Sequence, residues 1–179
     1  MLNAEKSCLI VIDVQEKLSS VMYQAERMIA NSAVLLQIAR TLSIPIFWCQ
    51  QNPKALGLTV APLREHLADI EPIDKMSFSC GGAAAFSEKI ERLNIETAIL
   101  CGIETHVCVF QTAMELLQKG LYVHVIADAV ASRTDENKQI GLSRMAATGA
   151  VISSTEMLLF ELLRTAEHPH FKALSKLIR

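Results

Sequence analysis

Three side chains in this sequence have the types and surroundings to do chemistry together: Asp13, Lys75 and Cys108. Asp13 follows directly on the apolar run Leu9-Ile10-Val11-Ile12, and Lys75 closes Ile73-Asp74-Lys75. Cys108 comes a short turn after the apolar run Ala98-Ile99-Leu100-Cys101-Gly102. An acid, an amine and a thiol at one place suffice for acyl transfer. The thiol attacks a carbonyl, the carboxylate takes and returns the proton, and the ammonium orients both and favours thiolate. A cysteine in the first turn of a helix sits among N–H groups without partners, at the positive end of the helix dipole. Such a thiol is expected to have a lowered pKa. Each residue also has a plainer reading. Cys108 can be a small buried hydrophobe, Asp13 a helix cap or turn residue, and Lys75 a solvated loop lysine. A carboxylate abutting an apolar strand is costly without a partner, however, and this favours the three acting together.

The elements that must position them are legible as short apolar blocks. Strands are expected at Cys8–Ile12, Ile44–Cys49, Glu71–Lys75, Thr97–Cys101, Tyr122–Ile126 and Ala150–Ile152, several with no polar alternation, as for strands covered on both faces. Helices are expected at Gln24–Leu42, Leu63–Ala68, Ala84–Leu93, His106–Lys119, Asp135–Thr148, Thr155–Arg164 and His170–Leu177. Gln50–Gly57 reads as a polar turn. Strands alternating with helices give an α/β fold, a three-layer, doubly wound, six-stranded parallel sheet with helices on both faces; right-handed crossovers restrict it to a few strand orders, of which the Rossmann-like 3-2-1-4-5-6 is the one expected. In such a sheet the chemistry gathers beyond the carboxyl ends of the strands, where the order reverses. Asp13, Lys75 and Cys108 all fall there, although they are far apart in the chain.

Composition narrows the function classes. The 179 residues carry a net charge of −2 with mixed signs, so there is no basic footprint for nucleic acid and no lipid-binding helix face. The chain is 51% hydrophobic, yet no apolar block reaches the ~18 residues a bilayer span needs. One domain over residues 1–179 is expected. The first residues do not resemble a secretory signal. Five cysteines in no framework spacing fit free thiols and a cytoplasmic location. No Gly-x-Gly-x-x-Gly turn follows the first strand, which speaks against a dinucleotide-dependent oxidoreductase.

With these residues in view, the chain resembles the isochorismatase-like cysteine hydrolase superfamily. The resemblance rests on Ile10-Val11-Ile12-Asp13-Val14-Gln15, on Asp74-Lys75-Met76-Ser77-Phe78-Ser79, and on Gly102-Ile103-Glu104-Thr105-His106-Val107-Cys108-Val109. Order and spacing match over nearly the whole chain, and the likeness is greatest to small single-domain members of unassigned substrate. It implies a catalytic triad at Asp13, Lys75 and Cys108. It also implies a non-proline cis peptide at Ile103–Glu104 and an oxyanion hole built from the N–H groups of Glu104 and Cys108. Relatives that act on nicotinamide carry a metal site after the second strand. The matching stretch here, Trp48-Cys49-Gln50-Gln51-Asn52-Pro53, has neither histidine nor carboxylate, so no metal and no cofactor are expected. Relatives that cleave the enol ether of isochorismate lack the cysteine, so that reaction is not expected either. Dimers or larger homo-oligomers are implied.

Other residues have weaker claims. Gln15, Gln51 and Asn52 are candidates for substrate binding at the pocket mouth, or ordinary turn residues. Phe78 and Trp48 either wall the pocket or join the core. Cys80 reads as a packed loop residue, and Cys8, Cys49 and Cys101 as inert strand thiols. His106, two residues before Cys108, does not face it on a helix. Asp128 ends the fifth strand and is placed to support the site or a neighbouring loop, and Arg133 and Glu136 read as surface or subunit-contact residues. The leading function is a metal-independent hydrolase of a small amide or related C–N bond, working through a Cys108 thioester. The alternative is a non-catalytic small-molecule binder or interaction protein that keeps the fold.

Overall fold

The computed structural model describes residues 2–178. Six strands, β1 (Ser7–Ile12), β2 (Ile46–Gln51), β3 (Ile73–Lys75), β4 (Thr97–Ile103), β5 (Tyr122–Ala131) and β6 (Val151–Ser153), form one sheet of order β3-β2-β1-β4-β5-β6. All five neighbouring pairs are parallel. Every residue of β1 and β4 is buried, which is why these two strands show no polar alternation. The switch in strand order falls between β1 and β4, so Asp13 and the turn leading to Cys108 leave the sheet side by side.

The helices are α1 (Glu16–Ser19), α2 (Ala25–Thr41), α3 (Pro53–Leu56), α4 (Ala61–Arg64), α5 (Ala84–Arg92), α6 (Phe110–Gln118), α7 (Asp135–Ala147), α8 (Thr155–Leu163) and α9 (Phe171–Leu174). Two cores result. Leu35, Leu36 and Ile38 of α2, Leu63 of α4, Leu159 of α8 and Leu174 of α9 pack on one face against Leu9, Val11 and Ile99. Phe86 and Ile90 of α5, Ala113 and Leu116 of α6, and Met145 of α7 pack on the other against Cys8, Ile10, Ile12 and Leu100. Cys108 belongs to this second core. Among the described residues no helix is long and apolar enough to cross a membrane.

Three local departures bear on the site. Gln50 and Gln51, expected in a turn, continue β2 and pair with Asp74 and Lys75 of β3. The rest of that stretch forms α3, with Pro53 at its start, where a missing N–H costs nothing. β4 reaches Ile103 rather than Cys101, and β5 reaches Ala131 rather than Ile126. Their extensions pair with each other beyond a register shift between Leu100 and Gly102. Finally, the segment expected to be plain helix from His106 begins as a π turn over Thr105–Val109. The Glu104 carbonyl accepts from the N–H groups of both Val107 (3.0 Å) and Val109 (3.1 Å).

Candidate active site

Asp13 leaves β1 with a φ of 53°, a left-handed conformation that aspartate tolerates better than most residues. Its N–H donates to the Cys49 carbonyl at 3.1 Å, and its own carbonyl accepts from Gln15 N–H at 2.7 Å. This sharp exit turns the carboxyl toward the neighbouring strand end. Gly102 permits the close approach on the other side. It pairs with Ile12, has a φ of 116°, and a Cβ there would fall 2.1 Å from the Ile12 carbonyl oxygen. Only glycine fits such a contact at such a φ.

The Asp13 carboxyl and the Lys75 ammonium meet at 2.6 Å between Oδ2 and Nζ, with both side chains inaccessible to solvent. Nζ also donates to Gln51 Oε1 (2.8 Å), the Phe78 carbonyl (3.0 Å) and the Ser77 carbonyl (3.2 Å). Four oxygens therefore share three ammonium hydrogens. Asp13 Oδ1 is buried and takes no hydrogen bond from a nitrogen or hydroxyl among the described residues, which leaves the Cys108 thiol as the other side-chain donor to this carboxyl besides Lys75. Burial pushes the Asp13 carboxyl pKa up, against the pull of Lys75. For Lys75 the burial penalty is outweighed by Asp13 and the neighbouring thiols, so it titrates above its usual value and stays charged.

Cys108 is 6% exposed. Its thiol is raised well above the ordinary cysteine value, first by burial and then by the Asp13 charge, with Lys75 opposing. The expected lowering is thus corrected. The sulfur lies in the core beneath the turn rather than at an open helix start, and a carboxylate is among its nearest charges. The other thiols are also buried. Burial raises Cys101 to about 12. Cys49 is raised first by a hydrogen bond with Cys80 and then by burial. Cys80 is tied through its N–H to Thr112 Oγ1 at 3.0 Å.

The candidate binding residues divide. Gln15 is fully buried and does not face a pocket mouth. Its Nε2 donates to the carbonyls of Gln51 (3.0 Å) and Gly57 (2.8 Å), and its Oε1 accepts from Gln51 N–H (2.8 Å). Gln51 Oε1 in turn accepts from Lys75 Nζ, and Gln51 Nε2 donates to the Met76 carbonyl at 2.9 Å. These two glutamines clamp the end of β2 and hold the ammonium in place. Sequence reasoning missed this role because the Gln51–Lys75 register is visible only once β2 and β3 are paired. Asn52 follows in a left-handed turn (φ 35°), and its N–H donates to the Lys75 carbonyl. Phe78 lends its backbone to Lys75 and exposes its ring. Trp48 packs on the α2 face, opposite Cys108, and donates to Thr59 Oγ1 at 2.8 Å.

Around the turn, the Ile103–Glu104 peptide is cis. The Glu104 carboxylate is gripped at both oxygens by Arg133, at 3.2 and 3.3 Å, a pairing with no signal in the sequence. His106 Nδ1 lies 2.9 Å from Ser132 Oγ, a packing role consistent with its place on the turn. Asp128 lies within the lengthened β5 rather than at its end, and its carboxyl accepts from the N–H and hydroxyl of Thr155 at the start of α8. Among the described residues no three His, Cys, Asp or Glu side chains converge to hold a metal. A cleft of about 440 Å³ between the start of α2 and α7, lined by Arg27, Asp128 and Lys138, includes none of Asp13, Lys75 and Cys108.

Comparison with known proteins adds to this picture. The family model for the isochorismatase domain matches residues 7–157. Isochorismatase domain-containing protein 2A of Mus musculus is 36% identical over 98% of this chain and 84% of its own. The structure of MAR1 ribonuclease from Caenorhabditis elegans superposes with a TM-score of 0.93 at 39% identity, covering 99% of this chain and 91% of that one. The Escherichia coli YcaC gene product, described as an octameric hydrolase of unknown specificity, gives a TM-score of 0.92 at 20% identity over 99% and 88% of the two chains.

Proposed function

The chain belongs to the isochorismatase domain family, and on that premise we propose that it is a metal-independent cysteine hydrolase of small amides or related C–N bonds. The observation that carries this reading is the buried Asp13–Lys75 pair at the base of the Cys108 thiol. A buried ion pair is a poor source of stability, whereas an acid whose basicity is raised, next to a nucleophile, is what proton transfer needs.

As Cys108 sulfur bonds to the carbonyl carbon, its proton passes to Asp13. The oxyanion so formed accepts hydrogen bonds from the N–H groups of Glu104 and Cys108, an arrangement that can contribute ~3–4 kcal/mol. Asp13 then gives the proton to the departing nitrogen as the C–N bond breaks, leaving a thioester. Water attacks next, with Asp13 again taking the proton. The C–S bond breaks, the acid leaves and the thiol is restored. Lys75 stays charged throughout and fixes the carboxyl. The protein works as a homo-oligomer on a small molecule, in the reducing cytoplasm where its free thiols persist.

Two other readings have an observation each. The low exposure and high pKa of Cys108 suit a packed thiol in a protein that binds without catalysis. The name of the Caenorhabditis elegans neighbour suggests ribonuclease activity. A polyanionic substrate is disfavoured by a net charge of −2 and a site lysine with no hydrogen to spare. A screen of small amides, ureas, carbamoyl compounds and RNA, read as ammonia, amine or nucleotide release, separates the three. Amine release that vanishes in Cys108→Ala supports the proposal. Turnover of RNA alone, or none at all, overturns it.

A further inference from the structure

We propose that the cleft between the start of α2 and α7 is a second ligand site, which takes a small organic monoanion with an apolar body, a carboxylate of the aryl or branched-alkyl class. The site stands apart from the hydrolase reading, since none of Asp13, Lys75 and Cys108 lines it. The cleft holds about 440 Å³, within the ~300–1,000 Å³ usual for small-molecule pockets. It lies against the carboxyl end of β5, on Asp128 and Val130, and ligands gather at this side of open α/β sheets. Buried Met28, Val130 and Leu142 give it an apolar lining.

The charges around that lining are unbalanced. Arg27 of α2 and Lys138 of α7 both line the cleft, and among the described residues neither forms an ion pair. Lys138 is half-buried. Burial is the first cause that holds its ammonium below the usual value, and the charge of Arg27 adds to the lowering, while Asp135 and Asp128 oppose it. The lining has one carboxylate, Asp128, whose Oδ1 accepts from the Thr155 N–H and hydroxyl, both at 2.9 Å. Those bonds tie it to the start of α8 rather than to either cation. Asp135 does not line the cleft, and it accepts from Gln139 Nε2 at 3.4 Å. Two cations against one carboxylate leave a single positive charge beside an apolar pocket. A cation drawn out of water without a partner is costly, and a ligand carboxylate set between the guanidinium and the ammonium supplies that partner through charge-assisted hydrogen bonds. A dianion such as a phosphate monoester would bring a second negative charge against Asp128.

Isothermal titration of the native protein with benzoate, and with benzyl alcohol as its neutral match, tests this. Saturable benzoate binding is expected, roughly tenfold or more tighter than that of benzyl alcohol, and weakened by a similar factor in Arg27→Gln and in Lys138→Gln. Cys108→Ala leaves the cleft untouched and should bind benzoate as the wild type does. Equal affinity for the two compounds, benzoate binding that survives either cleft substitution, or no saturable binding at millimolar benzoate overturns the inference. Loss of binding in Cys108→Ala puts the ligand at the thiol instead and overturns it too. Amide turnover is a separate readout, so this site and the hydrolase reading can each fail without the other.

Discussion

Cys108 is held protonated by its surroundings, so its reactivity depends on where the proton goes. Asp13 is one cause of the raised thiol pKa and Lys75 opposes it, and the two variants are therefore expected to move Cys108 in opposite directions. Asp13→Asn removes a negative charge and leaves the lysine, so iodoacetamide should label Cys108 at lower pH than in the wild type, while amide turnover is lost. Lys75→Met should shift the labelling profile to higher pH. It also strands a buried carboxylate, with an expected loss of about 3–5 kcal/mol in urea unfolding. Unmoved profiles would detach both residues from the thiol. Type and position at strand ends single out the three residues in the sequence, and the structure brings Asp13 and Lys75 together. The titration of Cys108 is not legible in the sequence, because its burial depends on core members such as Ile12 and Cys80 that come from distant segments. The clamp made by Gln15 was not legible for a related reason: two of its hydrogen bonds go to Gln51 at the end of β2 and one to Gly57, partners that no local pattern reveals.

β4 and the turn after it do most of the positioning. The strand passes so near Ile12 that Gly102 has no room for a side chain, and the turn packs so tightly on α7 that a Cβ at Gly141 would sit 3.1 Å from His106 Cα. Gly102→Ala is expected to destabilise by roughly 3 kcal/mol or more, since it combines a left-handed φ with a backbone clash. It should also lower turnover more than its effect on folding explains, because the displaced backbone is the one that presents Asp13. Wild-type stability in a denaturant titration would show that β1 and β4 can separate without harm. The strands themselves were readable from apolar runs to within two residues at each end, except that β5 runs on from Ile126 to Ala131. The π turn was not, because a helix beginning at His106 and a π turn over Thr105–Val109 present the same side-chain types.

For the whole molecule, the helices on both faces followed from the strand–helix alternation, and the right-handed crossover rule narrowed the strand order to a few doubly wound choices, among them the expected 3-2-1-4-5-6 that the sheet adopts. The two cores differ in kind. The face that carries Cys108 also buries Cys8, Cys49 and Cys80, while Cys101 lies in the opposite core. Buried thiols make stability depend on alkaline pH. Cys101 titrates at about 12 in the folded chain, against an ordinary value of 9.0. Below pH 9 both states hold the proton, so its contribution is fully present. Between 9 and 12 only the unfolded chain ionises, and the contribution is lost as pH rises, at up to about 1.4 kcal/mol per pH unit for each such group. Urea midpoints should therefore fall steeply from pH 9 to pH 10.5, and less steeply in Cys101→Ala. An equal slope in the two proteins would contradict the burial argument.

The central claim is that Cys108 sulfur bonds covalently to the acyl carbon of the substrate. Rapid-quench mass spectrometry of the intact protein during turnover of a small amide tests it most directly. We expect a transient mass increase equal to the acyl group, mapped to Cys108 and absent from Cys108→Ala, which should also be inactive. Steady amide hydrolysis with no adduct at any quench time, retained in Cys108→Ala, would contradict the account.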